Sequence, residues 1–218
     1  ETVKTLSEKY IGSLPSSPVK ERFIDRNIRP PKGKFVRDVK IPLEVPKATV
    51  FISHSAGLPY TSYNNVCLKV INNILDLIFT EKVREEAGGT YGVSVSLSSQ
   101  LYPYQNAQGL IMFDCDPRRV DSLKQIVYTE IDRLVKEGPA EDNLKKAVNN
   151  MLKNREEAKM HNNYWSNALY SYYYTGINVN DPDNYEKILN KLTVKDIRKA
   201  ARNFFGNADL AEIIFRPQ

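Results

Sequence analysis

Apolar positions along this chain recur at two alternating periods, and the change from one to the other marks out the elements. Ala48 to Ser53 is β-branched and aromatic and reads as a strand. From Tyr63 to Phe79, Val66, Val70, Ile74 and Ile78 repeat at helical spacing with Cys67, Ile71 and Leu75 beside them, which predicts a helix with a broad buried face. Val93, Val95 and Leu97 then alternate with Ser94, Ser96 and Ser98, a half-buried strand, and Gly109 to Cys115 supplies another after the Tyr102-Pro103-Tyr104 loop. Two strands joined so directly imply an antiparallel hairpin.

The second half is mainly helical. Asp116-Pro117 offers a cap and a first-turn proline to a helix carrying Val120, Leu123, Val127, Ile131 and Leu134, which Gly138-Pro139 ends. Leu144, Val148, Met151 and Leu152 form the stripe of the next helix. After a bend near His161, Tyr164, Trp165, Ala168, Leu169, Tyr172 and Tyr173 continue at helical spacing to Gly176. That spacing reads as aromatics packed on a core with their phenol tips exposed. Asp181-Pro182 starts a short helix to Leu192, Thr193 and Asp196 form a capping box for a last helix to Phe205, and Leu210 to Phe215 alternates as a closing strand.

The beginning of the chain differs in composition. Thr2 to Tyr10 places Val3, Leu6 and Tyr10 on one side of a short helix, ended by Gly12 and Pro15, and Lys20 to Pro46 carries four prolines among many charges. The expected organisation is an N-terminal overhang and connector over residues 1–46, with one edge strand at Phe35 to Ile41, followed by a domain over 47–218. Element order predicts an α+β fold in which a mainly antiparallel sheet carries helices on one face. Ala48 to Ser53 is expected to lie at an exposed sheet edge, covered by Phe35 to Ile41 or by another part of a larger protein.

Composition narrows the functional classes. The chain has 218 residues, 41% of them hydrophobic, enough for one sizeable core, and its longest apolar run, within Ile74 to Phe79, is interrupted by Asp76. It is far short of the roughly 20 residues of a membrane span, so no transmembrane segment is expected. A net charge of +5 is spread along the sequence among acidic residues, so no basic tract marks a nucleic-acid partner. Cys67 and Cys115 lack metal-ligand spacing and read as two buried thiols in preference to a bridge. His54 and His161 belong to no zinc motif and read as surface or hydrogen-bonded side chains. Gly88-Gly89-Thr90-Tyr91-Gly92 lacks the lysine and hydroxyl residue of a phosphate loop.

One segment does carry candidate chemistry. Val83 to Val95 joins the helix to the serine-rich strand through Gly88-Gly89, and the joint holds Arg84 and Tyr91. A guanidinium with five fixed donors and a phenol with one directional O–H suit a peptide carbonyl or a developing oxyanion. Taken without context, an arginine paired with a neighbouring glutamate and a tyrosine at a sheet end would account for the same residues.

The Arg84 to Val95 segment resembles the signature of the pitrilysin and insulinase family of zinc peptidases, in which an arginine and a tyrosine at this separation follow a helix in the half that holds no zinc. Tyr10-Ile11-Gly12-Ser13-Leu14-Pro15 and Leu192-Thr193-Val194-Lys195-Asp196-Ile197 resemble two further family segments, so the likeness spans nearly the whole chain. The resemblance implies a C-terminal, substrate-embracing portion that closes a chamber around an unfolded peptide. Zinc would be held by His-x-x-Glu-His and a downstream glutamate in an N-terminal half or partner subunit, not by this chain. Arg84 and Tyr91 would position substrate and support the tetrahedral intermediate. Alone, the chain is expected to be inactive. A non-catalytic relative acting as a scaffold or interaction subunit is the alternative, and bacterial relatives suggest an envelope or periplasmic setting.

Overall fold

A computed structural model describes residues 1–17, 22–42, 46–87 and 92–218, apart from the side chains of residues 83–87. Helix α1 (Thr2–Tyr10) is followed by strands β1 (Lys34–Ile41) and β2 (Ala48–Ala56), then by the long helix α2 (Ser62–Ala87). The hairpin strands β3 (Val93–Gln100) and β4 (Asn106–Cys115) come next. Helices α3 (Val120–Lys136), α4 (Glu141–Ala158), α5 (Asn162–Thr175), α6 (Glu186–Lys191) and α7 (Val194–Phe205) precede strand β5 (Asp209–Pro217).

The five strands lie in the order β1-β5-β2-β4-β3. Three of the pairings are antiparallel, and β1 with β5 is parallel, so the sheet is mixed and mainly antiparallel. Alternation decides which face meets the helices. Val93, Val95 and Leu97 are buried while Ser94, Ser96 and Ser98 are exposed, and in β2 Ala48, Val50 and Ile52 are all fully buried. The core fills the space between that face and α2, α3 and α7, with Phe79, Phe113, Phe204, Ile71, Ile74 and Leu123 among its largest enclosed side chains. Each such side chain contributes about 1.5–3 kcal/mol relative to remaining exposed.

The local stop signals act as the sequence predicts. Asp116 accepts from the Arg118 amide at 2.9 Å, capping a turn at Pro117–Arg119 that leads into α3. Gly138 ends α3 at φ +87°, a conformation in which an L side chain is strained. Thr193 and Asp196 form the capping box of α7. The bend expected at His161 is a full break, with α4 ending at Ala158 and α5 starting at Asn162.

Three expectations are corrected. β2 is an interior strand between β5 and β4, so Ala48 to Ser53 is not a sheet edge; the edges are β1 and β3. The aromatic face of α5 is not packed in the core: Ala168 is that helix's only buried residue, while Leu169, Tyr170 and Tyr173 are 60, 67 and 83% exposed. His54 is neither at the surface nor fully hydrogen-bonded, being 6% exposed with an unpartnered Nδ1.

Candidate functional site

The predicted pair straddles the joint between α2 and β3. Helical backbone continues to Ala87, beyond the Phe79 at which the apolar stripe stops, and this puts Arg84 in the last turns of α2. Tyr91 and the Arg84 side chain fall outside the described residues. The flanks of the joint are firmly held. Phe79 is fully buried, and Lys82 Nζ meets Glu130 Oε1 at 2.5 Å, with Glu130 6% exposed, tying the end of α2 to α3. On the far side Val93 registers with Phe113, opening the edge strand β3.

A second site was invisible in the sequence. Lys69, Asn72 and Asn73 project from one face of α2 at the i, i+3 and i+4 positions, a pattern indistinguishable from an ordinary solvated helix face. In the fold this face forms the floor of a cleft of about 980 Å³ whose walls are β3 at Val95–Leu97, α4 at Arg155 and α5 at Asn167. Asn72 Oδ1 accepts the Leu97 amide at 2.7 Å, taking the place of a neighbouring strand's carbonyl on the outer side of β3.

The cleft is electropositive. Arg155 donates to Glu186 Oε1 and to the Val179 carbonyl, both at 2.5 Å, and lies 4.2 Å from the Tyr185 ring. Lys69 stands 5.7 Å from the same ring and has no carboxylate partner among the described residues. Surrounding protein, and secondarily the Arg155 charge, pull its pKa below the ordinary lysine value, although solvent still reaches the side chain. That combination is what a concave wall produces. Glu186 is held below its usual range by hydrogen bonds and by Arg155, against the opposing effect of its burial.

These residues do not fit a zinc centre. Among the described residues no group of three or more His, Cys, Asp or Glu side chains converges. His54 sits edge-on to Phe205 at 5.0 Å, and burial pushes its pKa down to about 4. His161 is exposed at the start of α5. Cys67 and Cys115 are free and buried, as the sequence reading favoured, and desolvation raises both thiols to about 11.

The mainly antiparallel five-stranded sheet with helices packed on one face defines an α+β domain. Residues 1–151 match the model of the Peptidase M16 inactive domain, and the chain belongs to that family of zinc metallopeptidase domains. It is 27% identical over 146 residues to the probable zinc protease PqqL of Haemophilus influenzae, an alignment covering 67% of this chain and 15% of the relative. Its fold is similar to that of the periplasmic protease PqqL from Escherichia coli, with a TM-score of 0.77 and 20% identity over 100% of this chain and 24% of that one. A mutant of the ferredoxin protease FusC, solved with Arabidopsis ferredoxin, is similar at a TM-score of 0.75 and 18% identity, covering 99% of this chain and 23% of that one. The chain thus spans about a quarter or less of the length of these relatives. Among the described residues no helix is long and apolar enough to cross a membrane.

Proposed function

We propose that this chain is the substrate-embracing portion of a divided zinc metalloendopeptidase, closing a chamber around an unfolded peptide while a zinc-bearing N-terminal half or partner subunit supplies the metal, its activated water and the general base. The carrying observation is the α2–β3 joint: a helix pinned by Phe79 and the Lys82–Glu130 pair carries Arg84 in its last turns and leads through Tyr91 into an edge strand. Membership of the inactive-domain family supports the division of labour.

In this reading the Arg84 guanidinium and the Tyr91 hydroxyl donate to the scissile carbonyl as it becomes an oxyanion. Both donors strengthen as negative charge develops, so they favour the transition state over bound substrate. Residues 47–218 form the domain, and residues 1–46 form a connector that lends β1 to its sheet. The periplasmic E. coli relative supports an envelope or periplasmic address.

The test combines this chain with its zinc-bearing half and measures peptide turnover. Arg84→Ala is expected to lower kcat/KM by roughly 10²–10³, with Tyr91→Phe also impaired. Unchanged kcat/KM in both variants would remove their assigned role. Turnover and stoichiometric zinc binding by this chain alone would overturn the division itself.

A further inference from the structure

The cleft above α2 lies along the free edge of β3, and the edge has the polarity that an incoming strand needs. Because the Leu97 amide turns away from β4 to reach Asn72, Val95, two residues away on the same strand, directs its own N–H and C=O outward as well. An extended chain laid along this edge forms main-chain hydrogen bonds irrespective of its side chains. Selection among such chains must therefore come from the walls.

The walls select for negative charge. Arg155 and Lys159 are both occupied by Glu186, at 2.5 and 3.3 Å. Lys69 is left without a carboxylate among the described residues. Its position along the track is equally informative. Lys69, Leu97, Ser171 and Tyr185 line both the 980 Å³ cleft and a smaller one of about 220 Å³. Lys69 therefore stands between two hollows and not at the far end of one. A chain passing over it presents an internal side chain there, not a terminus.

We infer that this cleft is a second peptide-binding site, in which an extended segment adds to the outer edge of β3 at Val95 and seats an internal aspartate or glutamate carboxylate on Lys69. Asn72 serves the empty site by satisfying the Leu97 amide. The site is independent of the roles assigned to Arg84 and Tyr91, and it is read by binding to this chain alone, without turnover.

Three fluorescein-labelled probes test it by anisotropy: Thr-Val-Glu-Val-Thr amide, its glutamine counterpart as the amide, and that glutamine peptide with a free C-terminal carboxylate. The glutamate amide is expected to bind at least about tenfold more tightly than the glutamine amide, a preference worth roughly 1.4 kcal/mol. Lys69→Gln should reduce the preference to within about twofold while Lys69→Arg keeps most of it, and the Val95 and Leu97 amides should shift in ¹⁵N spectra on binding. Lys69 is exposed, so both variants are expected to fold, which their thermal unfolding checks. Equal binding of the two amides, a preference surviving Lys69→Gln, stronger binding of the free C-terminal carboxylate, or no binding at millimolar peptide would each overturn the inference.

Discussion

The Tyr128 hydroxyl donates to Glu212 Oε2 at 2.6 Å, on a carboxylate that is only 4% exposed in the middle of β5. Lys124 reaches the other oxygen at 2.7 Å, so two residues one turn apart on α3 hold a charge that the sheet would otherwise leave stranded. Removing the carboxylate while keeping its partners leaves a partly buried ammonium with, among the described residues, only the exposed Asp121 at 3.5 Å. Glu212→Ala is expected to cost about 3 kcal/mol in urea unfolding, and Glu212→Gln less, because the amide still accepts from Tyr128.

His54 makes stability depend on acidity. Its pKa is lowered by burial to about 4 from 6.5, so between those values the unfolded chain takes up a proton that the native protein refuses. This contribution is complete above about pH 6.5 and is lost as pH falls toward 4, amounting to on the order of 3 kcal/mol. Denaturant midpoints collected from pH 7 to pH 4 should show the fall. His54→Phe should flatten this part of the profile; an equally steep profile in that variant would assign the slope to other groups.

Gly109 in β4 has no room for a methyl group. A Cβ there would lie 2.5 Å from Leu97 Cδ2 and 3.2 Å from two atoms of the Phe204 ring. Gly109→Ala is therefore expected to destabilise by about 1–3 kcal/mol. Shortening the opposing side chain with Leu97→Val should make the double variant less unstable than the sum of the two single changes, and a double-mutant cycle measures the coupling.

Both thiols should be slow to react in the native state. Cys67 and Cys115 are 1 and 4% exposed, and desolvation raises each to about 11, so little thiolate is present or reachable at neutral pH. Titration with a chromogenic disulfide reagent should release two equivalents promptly in denaturant and only slowly without it.

Periodicity and stop signals were legible because they act locally. Thr193 caps α7 through Asp196, three residues away, and the alternation of Val93 to Ser98 sets which side of β3 faces the helices without reference to any other strand. The order of strands was not legible. β5 enters between β1 and β2, and nothing near Ala48 to Ser53 reveals that both its sides are paired. The tyrosines of α5 misled for a different reason. Tyrosine is apolar in its ring and polar at its tip, so the same spacing serves a core face and a wet one. Lys69, Asn72 and Asn73 form a cleft only because α4, α5 and β3 surround them, and a helix read alone presents them as solvent-facing.

The parallel pairing of β1 with β5 also has a consequence in time. Arg216 of β5 meets Asp38 of β1 at 2.8 Å across 178 residues of sequence, so β1 must wait for a strand synthesised much later than itself. During that interval β1 lacks its partner and β2 has one flank open, as transient edges able to join a neighbouring nascent chain. The exposed charges of β1, Lys34, Arg37, Asp38 and Lys40, lie where they hinder such premature pairing until β5 arrives.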